Sequence, residues 1–246
     1  MDAEGTEPPG MVRRGFLRNI ASVAGLALAG CATAAAAGGA HAEPGRAQAE
    51  GKAGEEGEAE VTPGEDLMQE HGVLERILLI YDESIRRIEH QEQLDLTVIR
   101  DACGIIRRFV EDYHEKQEEQ FVFPRLQAAQ REVALVGVLL RQHQRGRELT
   151  DEALRLATAG SASPELAGLL RSFERMYRPH AAREDTVLFP AFREVVGRAG
   201  YRELGEQFED KEHELFGEHG FEHAVSEVAR LEAALGIDDL AKFTPA

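Results

Sequence analysis

From Glu65 onward, apolar positions recur at alternating steps of three and four. Leu67, His71, Leu74, Leu78, Tyr81, Ile85 and Ile88 form the first such seam. Residues at that spacing share one helix face, so an amphipathic helix is predicted, ending near Gln91 to Gln93. A second seam carries Leu96, Ile99, Cys103, Ile106, Val110, His114, Glu118 and Phe121, and Pro124 is expected to close it. A third shows Val136, Leu140, His143, Arg147, Thr150 and Leu154, running out toward Gly160. Ser163-Pro164, a cap residue followed by proline at the first helical position, opens a fourth. That seam holds Leu166, Leu169, Phe173, Tyr177, His180, Glu184 and Val187, with Pro190 as its expected end. Four helices with short connections predict an all-α fold, an antiparallel up-down four-helix bundle over residues 65–192. Residues 193–246 form a C-terminal helical extension, helical over Glu206 to Leu235 with a break around Gly217 to Gly220, and are expected to cover one end of the bundle.

Polar residues on these seams change the picture. His71, His114, Glu118, His143, His180 and Glu184 all occupy core-facing positions, where polar groups are costly unless satisfied. His114 with Glu118 and His180 with Glu184 are each four residues apart, so each pair presents an imidazole and a carboxylate on one face. Both pairs are followed by Phe-Pro, at Phe123-Pro124 and Phe189-Pro190, an internal repeat on alternate helices. A carboxylate can bridge two cations, and imidazole suits iron, copper or zinc as a terminal ligand. Four histidines and two glutamates converging in a bundle therefore make a natural dinuclear metal site. With a rise of ~1.5 Å per residue, His71, His114 and His180 fall at similar depths; a third helix starting at Arg131 would place His143 somewhat high.

The first 64 residues read differently. Arg13-Arg14-Gly15-Phe16-Leu17-Arg18 precedes an uncharged stretch from Ala21 to Ala40, which resembles a twin-arginine export signal over residues 1–42. Two cleavage sites compete. Leu28-Ala29-Gly30-Cys31 looks like a lipobox that would make Cys31 a lipid anchor, and is favoured over Ala40-His41-Ala42, which would release a soluble chain. The apolar stretch is too weakly hydrophobic for a membrane span. Residues 43–64, rich in Glu, Gly and Ala, read as a flexible acidic linker. An exported protein of the periplasm or cell envelope is expected. The net charge of -17 disfavours nucleic-acid partners. No phosphate loop, nucleophile elbow or dinucleotide fingerprint is present.

The set His71; His114 and Glu118 with Phe-Pro; His143; His180 and Glu184 with Phe-Pro resembles the hemerythrin-like, or HHE, cation-binding domain. The resemblance implies a non-haem di-iron centre with the four histidines as terminal ligands and Glu118 and Glu184 as bridging carboxylates. It implies a small diatomic partner such as dioxygen, bound or sensed. The alternatives are a di-iron enzyme reducing peroxide or nitric oxide, and an iron-storage or structural metal bundle. One departure matters: oxygen-carrying members place a second histidine four residues after the first on helix three, and Arg147 stands there. Other residues weighed are Glu75 as a further ligand, Asp185 at the rim, Tyr113 and Tyr177 near ligand histidines, and His213, His219 and His223 in the C-terminal extension.

Overall fold

The computed structural model describes residues 62–217 and 219–245; the arginine pair, Cys31, both cleavage sites and the linker up to residue 61 lie outside them. Among the described residues every regular element is helical. Helix α1 spans Pro63–Glu89. Its start is dictated by a capping box: the Thr62 hydroxyl accepts from the Glu65 N–H while the Glu65 carboxylate accepts from the Thr62 N–H. The ordered bundle therefore begins inside the segment read from the sequence as linker. Helix α2 runs over residues 96–128, with Asp95 as its cap. Helix α3 is Val133–Thr158. Helix α4 covers residues 164–196, capped by Ser163 with Pro164 in its first turn, as the sequence predicts. Gly197, at φ 70° and ψ 172°, breaks the chain away into α5, residues 198–216. Helix α6 is Gly220–Leu235, followed by a 3-10 turn at Leu240–Phe243.

Neither Pro124 nor Pro190 ends its helix. Each follows a π-helical turn, Glu118–Val122 or Glu184–Leu188, in which the N–H of Phe123 or Phe189 bonds the carbonyl of Glu118 or Glu184, five residues back. A proline cannot donate to the carbonyl four residues back and its ring collides with it. The wider turn just ahead of it removes that conflict, so the chain continues. The same turn shifts the helix phase, which is why Leu188 is fully buried while the predicted Val187 is 40% exposed. On α3 the core position is likewise Leu139, with Leu140 exposed.

Helix α1 packs against α2 and α4, and α3 packs against the same two. The apolar interior divides into two clusters. One holds Val73, Leu74, Ile77, Val110, Tyr113, Leu149 and Tyr177 among others. The second holds Leu67, Val122, Phe123, Leu139, Leu188 and Phe189. On each of α1 to α4 a single histidine falls in sequence between residues of the two clusters, so a polar layer interrupts an otherwise apolar core. Helix α3 starts at Val133 rather than Arg131, which places His143 roughly 15 Å from its start.

The C-terminal extension does not simply cap an end. Helix α6 lies along α1 and α2, burying Ala224, Val228, Leu231 and Leu235 in the first cluster. Arg76 forks onto Glu232, and Arg87 donates to the Leu235 carbonyl. Helix α5 returns over the start of α1, where the Tyr201 hydroxyl accepts from the Gly64 N–H at 2.9 Å.

Between α3 and α4 a close approach depends on glycine. A Cβ added at Gly146 would stand 2.0 Å from the Tyr177 hydroxyl oxygen. Overfilling such a contact costs about 1–3 kcal/mol. Gly146→Ala should lower unfolding stability by that amount in a denaturant titration, and Tyr177→Phe in the same chain should recover part of it.

A buried layer of four histidines and two glutamates

Every residue of the predicted ligand set arrives in one place. His71 comes from α1, His114 and Glu118 from α2, His143 from α3, His180 and Glu184 from α4. All six are buried; Glu118, His143 and Glu184 are at 0% exposure. The imidazoles pair off, with ring centroids 4.7 Å apart for His71 and His114 and 5.0 Å for His143 and His180. Each glutamate faces one histidine from each pair. Glu184 Oε2 lies 3.4 Å from His71 Nε2 and 3.1 Å from His180 Nε2. Glu118 Oε2 lies 3.8 Å from His114 Nε2 and 3.4 Å from His143 Nε2.

None of the four oxygens of Glu118 and Glu184 has a hydrogen-bond partner, nor does His143 Nε2. Buried polar atoms are rarely left so, and a buried carboxylate without a compensating partner is costly. Donor atoms of His71, His114, Glu118 and Glu184 lie within 4.8 Å of one another, and so do those of Glu118, His143, His180 and Glu184. Both groups can hold a metal cation, and both contain the same two glutamates. The unsatisfied oxygens are what a donor set shaped for cations looks like without them, so the residues fit a metal.

Behind each imidazole stands an acceptor for its Nδ1–H. His71 donates to Asp185 at 2.8 Å, His114 to Glu70 at 2.7 Å, His143 to Glu119 at 3.2 Å, and His180 to the Gln142 amide oxygen at 3.0 Å. Such outer partners fix the tautomer and aim the other nitrogen inward. Asp185, set apart from the sequence only as a rim acid, is thus a working partner of His71. Glu70, Glu119 and Gln142 were not singled out by the sequence, because each serves a histidine on a different helix and nothing in linear spacing reports that.

Packing completes the repeat. Phe123 on α2 stacks on His143 of α3 at 5.5 Å, and Phe189 on α4 stacks on His71 of α1 at 5.7 Å. Each Phe-Pro thus braces a histidine of a neighbouring helix, which explains the repeated motif better than helix termination does.

Arg147 stands beside this layer. Its guanidinium bonds Glu115 Oε2 at 2.6 Å and Glu119 Oε1 at 2.7 Å. Tyr177 donates to Glu115 Oε1 at 2.6 Å, a role beyond that of an apolar core tyrosine. Glu75 is exposed, with Arg178 at 3.9 Å, and takes no part in the layer; His213, His219 and His223 are exposed as well. Tyr113 points to α5, donating to Glu212 at 3.4 Å.

The layer's electrostatics without metal follow from burial and neighbours. Burial pushes the Glu118 carboxyl well above its usual range, with the Glu184 charge adding to it. Glu184 is held low against burial by His180 and His71. His143 is lowered by burial to about 4. His71 is raised to about 9: burial opposes its charge, but the Asp185 and Glu184 acceptors outweigh it. A histidine so raised stabilises the metal-free fold fully below its unfolded value of 6.5, and that contribution fades as pH rises through about 9. Asp185→Asn should therefore lower metal-free stability near about pH 6, by roughly 1 kcal/mol given the partial exposure of Asp185, and leave it nearly unchanged above about pH 9. Thermal melts of the metal-free protein at the two pH values measure this.

Comparison with known proteins agrees with the geometry. No solved structure matches the chain. An uncharacterized protein of Mycobacterium bovis is 46% identical over 246 residues, covering 98% of this chain and 93% of its own. An uncharacterized protein of Mycobacterium tuberculosis strain H37Rv matches to the same extent. The hemerythrin HHE cation-binding domain matches residues 62–192, from the Thr62 cap to just past the second Phe-Pro. With that match spanning the buried layer and all four helices that build it, the chain belongs to the hemerythrin HHE cation-binding family.

Proposed function

We propose that this chain is a non-haem di-iron protein of hemerythrin-like type, which binds or senses dioxygen or a similar small ligand outside the cytoplasm. One observation carries the proposal: Glu118 and Glu184, each with unpaired buried oxygens, belong to both four-donor groups at once. Shared carboxylates between two histidine pairs are the arrangement that holds two cations rather than one. On this reading His71 and His114 serve one position, His143 and His180 the other, and the helices run up and down in alternation.

The chain's own residues define what the centre does. Acceptors at Nδ1 keep all four imidazoles aimed inward. Phe123 and Phe189, at 1% exposure each, shield the layer from water on the Phe-Pro side. When bound, an iron pair would supply the redox-active, ligand-accepting chemistry that side chains lack. Export rests on the sequence of residues 1–42, with the chain secreted folded or anchored through Cys31. Among the described residues no helix is long and apolar enough to cross a membrane.

A second reading, an enzyme that reduces peroxide or nitric oxide, is favoured by Arg147. Where oxygen carriers have a further histidine, this side chain is bonded to Glu115 and Glu119. Each cation position is left with two imidazoles and two shared carboxylates, so an exogenous ligand has room to bind.

Purified protein should contain about two irons per chain, the number a two-metal site holds. His114→Ala should drop this to about one or below while helical circular dichroism is retained. Undiminished iron in that variant would refute the assignment. Reversible spectral change on adding and removing oxygen selects the first reading; steady consumption of peroxide or nitric oxide with a reductant selects the second.

A further inference from the structure

The two cation positions have the same ligand types, two imidazoles each and the same two carboxylates, yet their surroundings differ. Both histidines of the first position rest on carboxylates at short range, His114 on Glu70 at 2.7 Å and His71 on Asp185 at 2.8 Å. Glu70 is 1% exposed, so water screens that pair little. At the second position the contacts are longer and the acceptors weaker. His180 rests on the neutral amide of Gln142 at 3.0 Å. His143 reaches Glu119 at 3.2 Å, and that carboxylate is already claimed: Arg147 bonds the same Oε1 at 2.7 Å, and Lys116 bonds Oε2 at 2.5 Å. The nearest alternative acceptor, Glu115 Oε2, is 4.0 Å from His143 Nδ1 and is itself bonded by Arg147.

An anionic acceptor pulls on the Nδ1 proton and makes the opposite nitrogen a stronger donor. A neutral amide does so less, and a carboxylate whose charge is spread over an arginine and a lysine also does so less. Hydrogen-bond length points the same way, because charge-assisted bonds shorten as the proton is pulled harder.

Resting on the reading of a two-cation centre, we propose that the outer partners make the centre intrinsically unequal. The His71–His114 position is the tight one, filled first and emptied last. The His143–His180 position is the labile one, where metal exchanges most readily. Glu70, Asp185 and Gln142 are the positioning residues that set this order, and Arg147 contributes by drawing charge from Glu119. The inequality arises from residues outside the ligand set, so it is invisible in the spacing of the ligands.

Anaerobic titration of the metal-free full chain with cobalt(II), followed through its visible absorption, tests this. Losing or gaining an outer partner changes metal affinity by roughly 10–100-fold. The wild-type chain should therefore bind two cobalt ions in two resolved steps separated by a factor of that order. Gln142→Glu should tighten the second step and bring the two together. Asp185→Asn, near the surface and mild for folding, should weaken the first step and leave the second in place. His180→Ala should retain one tight cobalt, and His114→Ala should not. Two ions binding with equal affinity in the wild-type chain, or a Gln142→Glu isotherm identical to wild type, would overturn the proposal while leaving the two-cation reading intact. Binding of fewer than two ions by the wild-type chain would defeat that reading itself.

Discussion

Two carboxylates are buried completely in the middle of this protein with no hydrogen bond to either, and the rest of the structure is arranged around that fact. Glu118 and Glu184 would repel one another and resist leaving water. What makes their burial tolerable is the ring of imidazole nitrogens at 3.1–3.8 Å and the capacity of the whole layer to take up positive charge. Apolar clusters on both sides exclude water from the layer, which strengthens any cation's attraction to it. The cost of burial and the capacity to take up a cation therefore fall on the same six side chains.

The bundle is a doubled device. A histidine and a glutamate four apart, a π turn beginning at the glutamate, and a Phe-Pro that braces a histidine on the next helix occur once on α2 and again on α4. Helices α1 and α3 each complete a half with a single histidine. The π turns are part of this logic, since they let the chain keep a proline directly after a buried ligand turn without stopping. The halves differ in what stands behind the imidazoles, and α2 alone carries a further π-helical stretch, Ile106–His114, leading into its His114–Glu118 pair.

Much of this was legible in the sequence, and for a physical reason. Seam positions at steps of three and four have one destination in a bundle, so His71, His114, Glu118, His143, His180 and Glu184 could be placed in the core together. What stayed hidden needed three dimensions. Glu70, Gln142 and Glu119 lie on the same helices as ligands yet serve histidines on other helices, so their roles depend on helix rotation. Pro124 and Pro190 were read as stops because spacing cannot show that a wide turn precedes them. Leu139 and Leu140 are both apolar, and only packing decides which faces inward. Glu75 sits at a ligand-like interval from His71 but points to solvent, and the C-terminal helix proved to lie along α1 and α2.

The central claim is that these side chains hold two metal ions in one shared site. X-ray absorption at the iron edge of the iron-loaded protein addresses it most directly. The account predicts mixed nitrogen and oxygen neighbours, with about two imidazoles per iron, and a metal–metal vector on the order of 3.5 Å. An iron environment with no second metal within reach, or one without imidazole scattering, would contradict it.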